Sequence, residues 1–140
     1  MRSSGSLEVS VPLARVFSYL SDPRNLIAAN HKRPIVEQSD PPLGAGSWFV
    51  LSLDQLRARV EYTVYEPTRR IAATVTWWGR GSGGASSEHE FELSELDGGS
   101  RTRIDAHMDG HGGLIRWAPL RRVTDALLRW RMRRRIERSA

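Results

Sequence analysis

The chain has 140 residues, enough for one domain with its own core and too few for two of ordinary size. It holds no cysteine, which excludes disulfides, thiolate-bound metals and a cysteine nucleophile. Its formal charge of +5 is local: residues 116–140 carry nine arginines against Asp125 and Glu137, while the rest of the chain is slightly acidic. No apolar run is long enough to span a membrane, and the opening Met1-Arg2-Ser3-Ser4-Gly5 lacks the apolar stretch of a signal peptide. A cytoplasmic location is the expectation.

Leu7, Val9 and Val11 alternate with Glu8 and Ser10, the period of a half-buried strand. Pro12 ends that ladder and suits a helix start, where its missing N–H costs nothing. Leu13, Val16, Phe17 and Leu20 then form one apolar stripe at helical spacing. Asp22 and Pro23 read as the N-cap and first residue of a second short helix.

The middle of the chain reads as an antiparallel meander. Ile35–Gln38 is a short strand, followed by the breaker run Asp40-Pro41-Pro42-Leu43-Gly44-Ala45-Gly46. Ser47–Leu53 is a strand turned by Asp54-Gln55, and Arg57–Glu66 alternates with Val60, Tyr62 and Val64 on one face. Glu66-Pro67-Thr68 turns the chain into Arg70–Trp78, whose Ile71, Ala73, Val75 and Trp77 share a face. Ser87–Leu96 places His89, Phe91 and Leu93 on one side and Glu88, Glu90 and Glu92 on the other. Asp97-Gly98-Gly99 is a hairpin signal, and Arg101–Asp109 returns with Ile104, Ala106 and Met108 on one face. A helix is expected from about 114 to 138, apolar through Trp117, Leu120, Val123, Leu127, Leu128 and Trp130. Arginines occupy that face beyond Trp130, so residues 131–140 are expected to project into water.

This order of elements is similar to that of the START-like, or polyketide cyclase/dehydrase (SRPBCC), superfamily. The residues that carry the resemblance are Val11-Pro12 leading into Val16-Phe17-Ser18-Tyr19-Leu20-Ser21-Asp22-Pro23, then Gly44-Ala45-Gly46, Val64-Tyr65-Glu66-Pro67 and Gly98-Gly99-Ser100-Arg101. The resemblance implies a single α+β domain of helix-grip form. In it a curved antiparallel sheet of about seven strands wraps a long C-terminal helix, with two short helices after the first strand. It also implies a cavity between sheet and helix for a small hydrophobic or aromatic molecule, without metal or other cofactor.

Strand alternation names the side chains that would face such a cavity: Val60, Tyr62, Val64, Ala73, Val75, Trp77, His89, Phe91, Ile104, Ala106 and Met108, with Trp117 and Leu120 opposite. His89 and Tyr62 are the polar members. Each is able to orient a ligand or move a proton, and each also fits the plainer part of a hydrogen-bonded core residue. Carriage or binding of a ligand is the leading expectation. An aromatase/cyclase using Tyr62 and His89 is the enzymatic alternative, working by holding a poly-ketone in a productive bend. A third function class rests on Arg129, Arg131, Arg133, Arg134, Arg135 and Arg138, which suit an acidic protein or an anionic membrane surface better than nucleic acid.

Other apparent motifs fail on context. Gly79-Arg80-Gly81-Ser82-Gly83-Gly84 has the G-x-G-x-x-G spacing but leads into a strand, so no helix N-terminus receives a pyrophosphate. His107, Asp109 and His111 lack an evident fourth metal ligand.

Overall fold

The computed structural model describes residues 2–27, 33–80, 84–111 and 132–138. Seven strands form one antiparallel sheet: β1 (Arg2–Val9), β2 (Ile35–Gln38), β3 (Trp48–Leu53), β4 (Leu56–Glu66), β5 (Arg70–Gly79), β6 (Ser86–Leu96) and β7 (Arg101–His111). Their spatial order is β1-β7-β6-β5-β4-β3-β2. From β2 to β7 the chain is a meander, and β1 joins it beside β7. The helices α1 (Leu13–Leu20) and α2 (Pro23–Leu26) stand between β1 and β2. The architecture is α+β, with an open sheet and few helices.

Cross-strand register divides the side chains of the sheet cleanly. Leu7 pairs with Ile104, Ile104 with Leu93, Phe91 with Ile71, and Val75 with Val60, so these residues share the inner face. All are buried, and they form one core with Val16, Phe17, Tyr19 and Leu20 of α1. The opposite face carries Glu88, Glu90 and Glu92, the outward half of the alternation. There Arg70 forms ion pairs with Glu90 at 2.5 Å and Glu92 at 3.9 Å.

The ends of α1 follow from its flanking residues. Pro12 is extended (φ −67°, ψ 158°), and its carbonyl accepts from the N–H groups of Arg15 and Val16. At the other end the backbone N–H groups of Ser21 and Asp22 reach the Phe17 and Tyr19 carbonyls, and side chains add to these bonds. Ser21 Oγ donates to the Phe17 carbonyl at 2.8 Å, Asn25 Nδ2 to Tyr19 at 2.7 Å, and Tyr62 Oη to Leu20 at 3.0 Å. Asp22 caps α2 as expected, accepting from Arg24 N–H at 3.0 Å.

Three features differ from the sequence reading. β1 begins at Arg2 rather than Leu7, because β7 extends to His111 and supplies a ladder from Arg2–Asp109 onward. Tertiary pairing thus overrides the weak strand preference of Ser3, Ser4 and Gly5. In β4 the register slips between Tyr62 and Val64, and one extra residue reverses the facing of those that follow. Val64 therefore pairs with Ala72 on the outer face, and Tyr65 takes the inward place opposite Ile71. Its ring lies 5.0 Å from that of Phe17, and its hydroxyl lies 2.9 Å from Ser21 Oγ.

The third difference concerns the C-terminal end. The expected helix falls largely on residues 112–131, outside the described residues. Residues 132–138 are helical, but they are docked rather than projecting. Ile136 is fully buried in the core, and Met132 packs against it. Arg133 Nε donates to the Glu8 carbonyl at 3.1 Å, and Ser10 N–H donates to Glu137 Oε1 at 3.1 Å. Met132 and Ile136, four residues apart, continue an apolar stripe among the arginines, and these two residues decide where the segment lies.

Replacing Ile136 by alanine is expected to lower unfolding free energy by about 2–5 kcal/mol, the range for a buried isoleucine. Arg138→Ala, at an exposed position, is expected to change it by less than about 0.5 kcal/mol. Urea unfolding of both variants checks the docking, and a silent Ile136→Ala would refute it. For the slip in β4, Val64→Thr is expected to cost less than about 1 kcal/mol and Tyr65→Ala about 2–4 kcal/mol, measured in the same way.

Candidate functional site

Burial is uneven along the inner face. Beneath α1, Val9, Thr102 and Ile104 are sealed completely. Farther along the same strands the cover is uneven: Gly5, Ala106, His89 and Trp77 are half-buried and Met108 is 37% exposed, while Ser87, Val75 and Val60 in the next row stay buried. The pairings Ser3–Met108, Met108–His89, His89–Ala73 and Ala73–Tyr62 align five residues in one row across β1, β7, β6, β5 and β4. This row is the candidate site. Its accessible part is small and apolar, apart from Ser3, His89 and the adjoining Ser87.

His89 is held by its own strand. Ser87 lies two residues earlier on β6, faces the same way, and is buried. Its Oγ is 2.8 Å from His89 Nε2. Across the neighbouring strands Ser87 meets Val75 and Gly110, and His89 meets Ala73 and Met108. None of these partners carries charge. Burial in this surrounding pushes the imidazole pKa from its usual 6.5 down to about 4, so the ring is neutral at physiological pH.

Tyr62 has a different part. It is fully buried, its hydroxyl is engaged by the Leu20 carbonyl, and its ring meets Phe49 and Tyr65 edge-on at 6.1 and 5.9 Å. Burial, then Asp22 and Tyr65, raise the pKa of its phenol well above the ordinary tyrosine value. Ala73 stands between Tyr62 and His89 in the row, which sets them about two strand spacings, roughly 10 Å, apart. The arrangement offers no direct proton path between the two residues expected to act as an acid–base pair.

The other expected cavity residues divide by burial. Val60, Ala73, Val75, Phe91 and Ile104 belong to the sealed core, whereas the half-buried Ala106 and the exposed Met108 sit beside His89, and the half-buried Trp77 lies four residues past Ala73 on β5, opposite Ala85. Val64 is on the outer face. Trp117, Leu120, Arg129 and Arg131 lie outside the described residues. Ser87 was missed, although its place two residues before His89 on an alternating strand was signal enough; Ser3 and Gly5 were missed with the early start of β1.

Elsewhere, Arg133 is committed to the first strand, and Arg135 touches Tyr19, where it opposes the upward push of burial on that phenol. Arg134 and Arg138 are exposed. A polar groove of about 670 Å³ is lined mainly by outward residues such as Arg2, Thr74, Glu88 and His107, and its lining also includes Ser3, Ala73, His89 and Met108 of the row itself.

The family described as polyketide cyclase / dehydrase and lipid transport matches residues 2–140. The chain belongs to that family. No curated protein is similar enough to count as a relative. Among solved structures, a conserved protein from Geobacillus kaustophilus is 18% identical with a TM-score of 0.69, over 99% of this chain and 93% of that one. The Aha1 dimer from Colwellia psychrerythraea is 10% identical with a TM-score of 0.65, over 98% and 96% of the two chains. DynU16, from the dynemicin biosynthetic locus, is 16% identical with a TM-score of 0.62; the match spans 97% of this chain and 47% of that protein. At these identities the likeness is one of fold.

The imidazole of His89 is expected to titrate near pH 4 in an NMR titration rather than near 6.5. Between those values the unfolded chain binds the proton and the folded chain does not, so stability falls as pH drops from about 6.5 towards 4 and is level above that window. The loss should stay below about 3 kcal/mol, since the ring is only half-buried. His89→Gln is expected to flatten that part of the profile in urea unfolding at stepped pH.

Proposed function

We propose that the chain binds a small apolar molecule against the open end of the inner face, with Trp77, Ala106, Met108 and His89 in contact. Residues 112–131, with the Trp117 and Leu120 that the sequence reading sets opposite this face, lie outside the described residues. The observation that carries the proposal is the contrast in burial along one continuous face. The core is sealed beneath α1 yet leaves Met108 exposed in the row of His89 and Ala106 half-buried beside it. Exposed apolar area beside a few polar groups, on a face otherwise built as core, is the chemistry of a ligand site. Membership of a family described by lipid transport as well as cyclase action supports it.

Binding is favoured over catalysis. A cyclase needs several polar groups converging on its substrate, and the hydroxyl of Tyr62 is spent on a helix end. The Arg-rich end is read as structural where it is described, because Arg133 and Glu137 clasp β1 and Ile136 anchors the segment.

Ala106→Phe tests the location. The larger ring, opposite Phe91 on the half-buried part of the face, fills space without burying charge. An uncharged apolar fluorophore such as Nile red is expected to bind the wild type with a rise in emission, and its affinity is expected to fall at least about tenfold in the variant. Equal affinity in a folded variant places binding elsewhere.

A further inference from the structure

We propose that the Ser87–His89 pair selects ligands that present an uncharged hydrogen-bond acceptor, a ketone or ester carbonyl, and turns away carboxylates. The inference rests on the reading of the inner face as a binding site and names what that site recognises.

The geometry assigns the protons. Ser87 is 8% exposed, and its only side-chain hydrogen bond among the described residues is with His89 Nε2 at 2.8 Å. A buried hydroxyl with one partner does best by donating to it, because an unsatisfied donor costs more than a spare lone pair on the same oxygen. Nε2 is then the acceptor, and the ring carries its proton on Nδ1. That N–H has no partner among the described residues. It stands on a half-buried ring at the open end of the face, available to an acceptor on a bound molecule.

The neighbours decide which acceptors are welcome. On the inner face Ser87 and His89 are bordered by Val75, Ala73, Phe91, Met108, Ala106 and Gly110, none of them charged. The carboxylates that flank His89 on this strand, Glu88 and Glu90, point to the other side, where Arg70 holds Glu90. Among the described residues a ligand carboxylate brought to His89 would meet a neutral donor and no cation, leaving a desolvated charge without compensation. Drawing a proton onto the ring to offset it runs against the same apolar surround that keeps His89 neutral. A carbonyl oxygen needs only the one donor. A hydrocarbon without an acceptor leaves Nδ1–H unpaired, which costs it affinity relative to a ketone of equal length.

The experiment is displacement of Nile red at pH 7.5 by three twelve-carbon probes: a methyl ketone, the fatty acid and the parent hydrocarbon. The ketone is expected to displace the dye at least about tenfold more effectively than the carboxylate, and about two- to tenfold more effectively than the hydrocarbon. In His89→Phe, which keeps a ring of similar size, the ketone is expected to lose its advantage over the hydrocarbon. Independently of any variant, the ¹⁵N shifts of His89 in the wild type are expected to report the Nδ1–H tautomer. A carboxylate that binds as well as the ketone overturns the selectivity while leaving the binding site standing, as does the Nε2–H tautomer or an unchanged ketone preference in His89→Phe. Failure of all three probes to displace a dye that Ala106→Phe excludes also overturns it, whereas a dye unaffected by Ala106→Phe removes the site itself.

Discussion

The described structure depends on how the end of α1 is held against the sheet. A helix of eight residues gains little from its own hydrogen bonds and leaves its last carbonyls bare. Here the Phe17 and Tyr19 carbonyls take the N–H groups of Ser21 and Asp22 together with the Ser21 hydroxyl and the Asn25 amide, and the Leu20 carbonyl takes the phenol of Tyr62. The last of these reaches from β4, so the helix is tied to the middle of the sheet rather than merely resting on it. That tie sets which half of the inner face is sealed by Phe17 and Leu20, and therefore which half is left for His89.

The same tie redistributes the chemistry. Tyr62 and His89 were the two polar residues of the inner face that alternation brought forward, and on paper they were equals. The structure separates them by what each one touches. Tyr62 spends its only proton on a helix carbonyl in a sealed core. His89 keeps one ring nitrogen on Ser87 and stands at the edge of cover. Burial is the largest cause of both pKa shifts, but for the phenol the result is an inert strut and for the imidazole a neutral, selective donor.

Much of this architecture was legible in the amino-acid order. The strand alternations, the Pro12 and Asp22 helix starts and the inward place of His89, Phe91 and Leu93 needed only periods of two and 3.6. What was hidden depended on partners distant in sequence. The strand character of Ser3, Ser4 and Gly5 comes from β7, not from those residues. The slip at Val64 has no glycine or proline to announce it, since Tyr62, Thr63, Val64 and Tyr65 all favour strands. The docking of 132–138 rests on Ile136 and Met132, two apolar side chains in a run whose charge drew attention first. Of the candidate site, the histidine was readable and its serine was within reach. The opening of the face at one end was not, because burial is decided by what covers a strand.

The pairing of β1 has a consequence for how this chain is made. Its partner β7 lies far along the sequence, with Ser6 and Asp105 bonded across 99 residues, and the Ser10–Glu137 bond spans 127. β1 leaves the ribosome well before β7 and must therefore wait, unpaired, until that partner has been made. Loop closure over such distances is slow, and an exposed strand is sticky meanwhile. Ser3, Ser4, Gly5 and Ser6 make a poor strand in isolation, and during that interval this is an advantage: a segment with little appetite for pairing is hard for the wrong neighbour to capture. The small polar residues that concealed β1 from a reading of the sequence also keep it idle during synthesis until its proper partner has emerged.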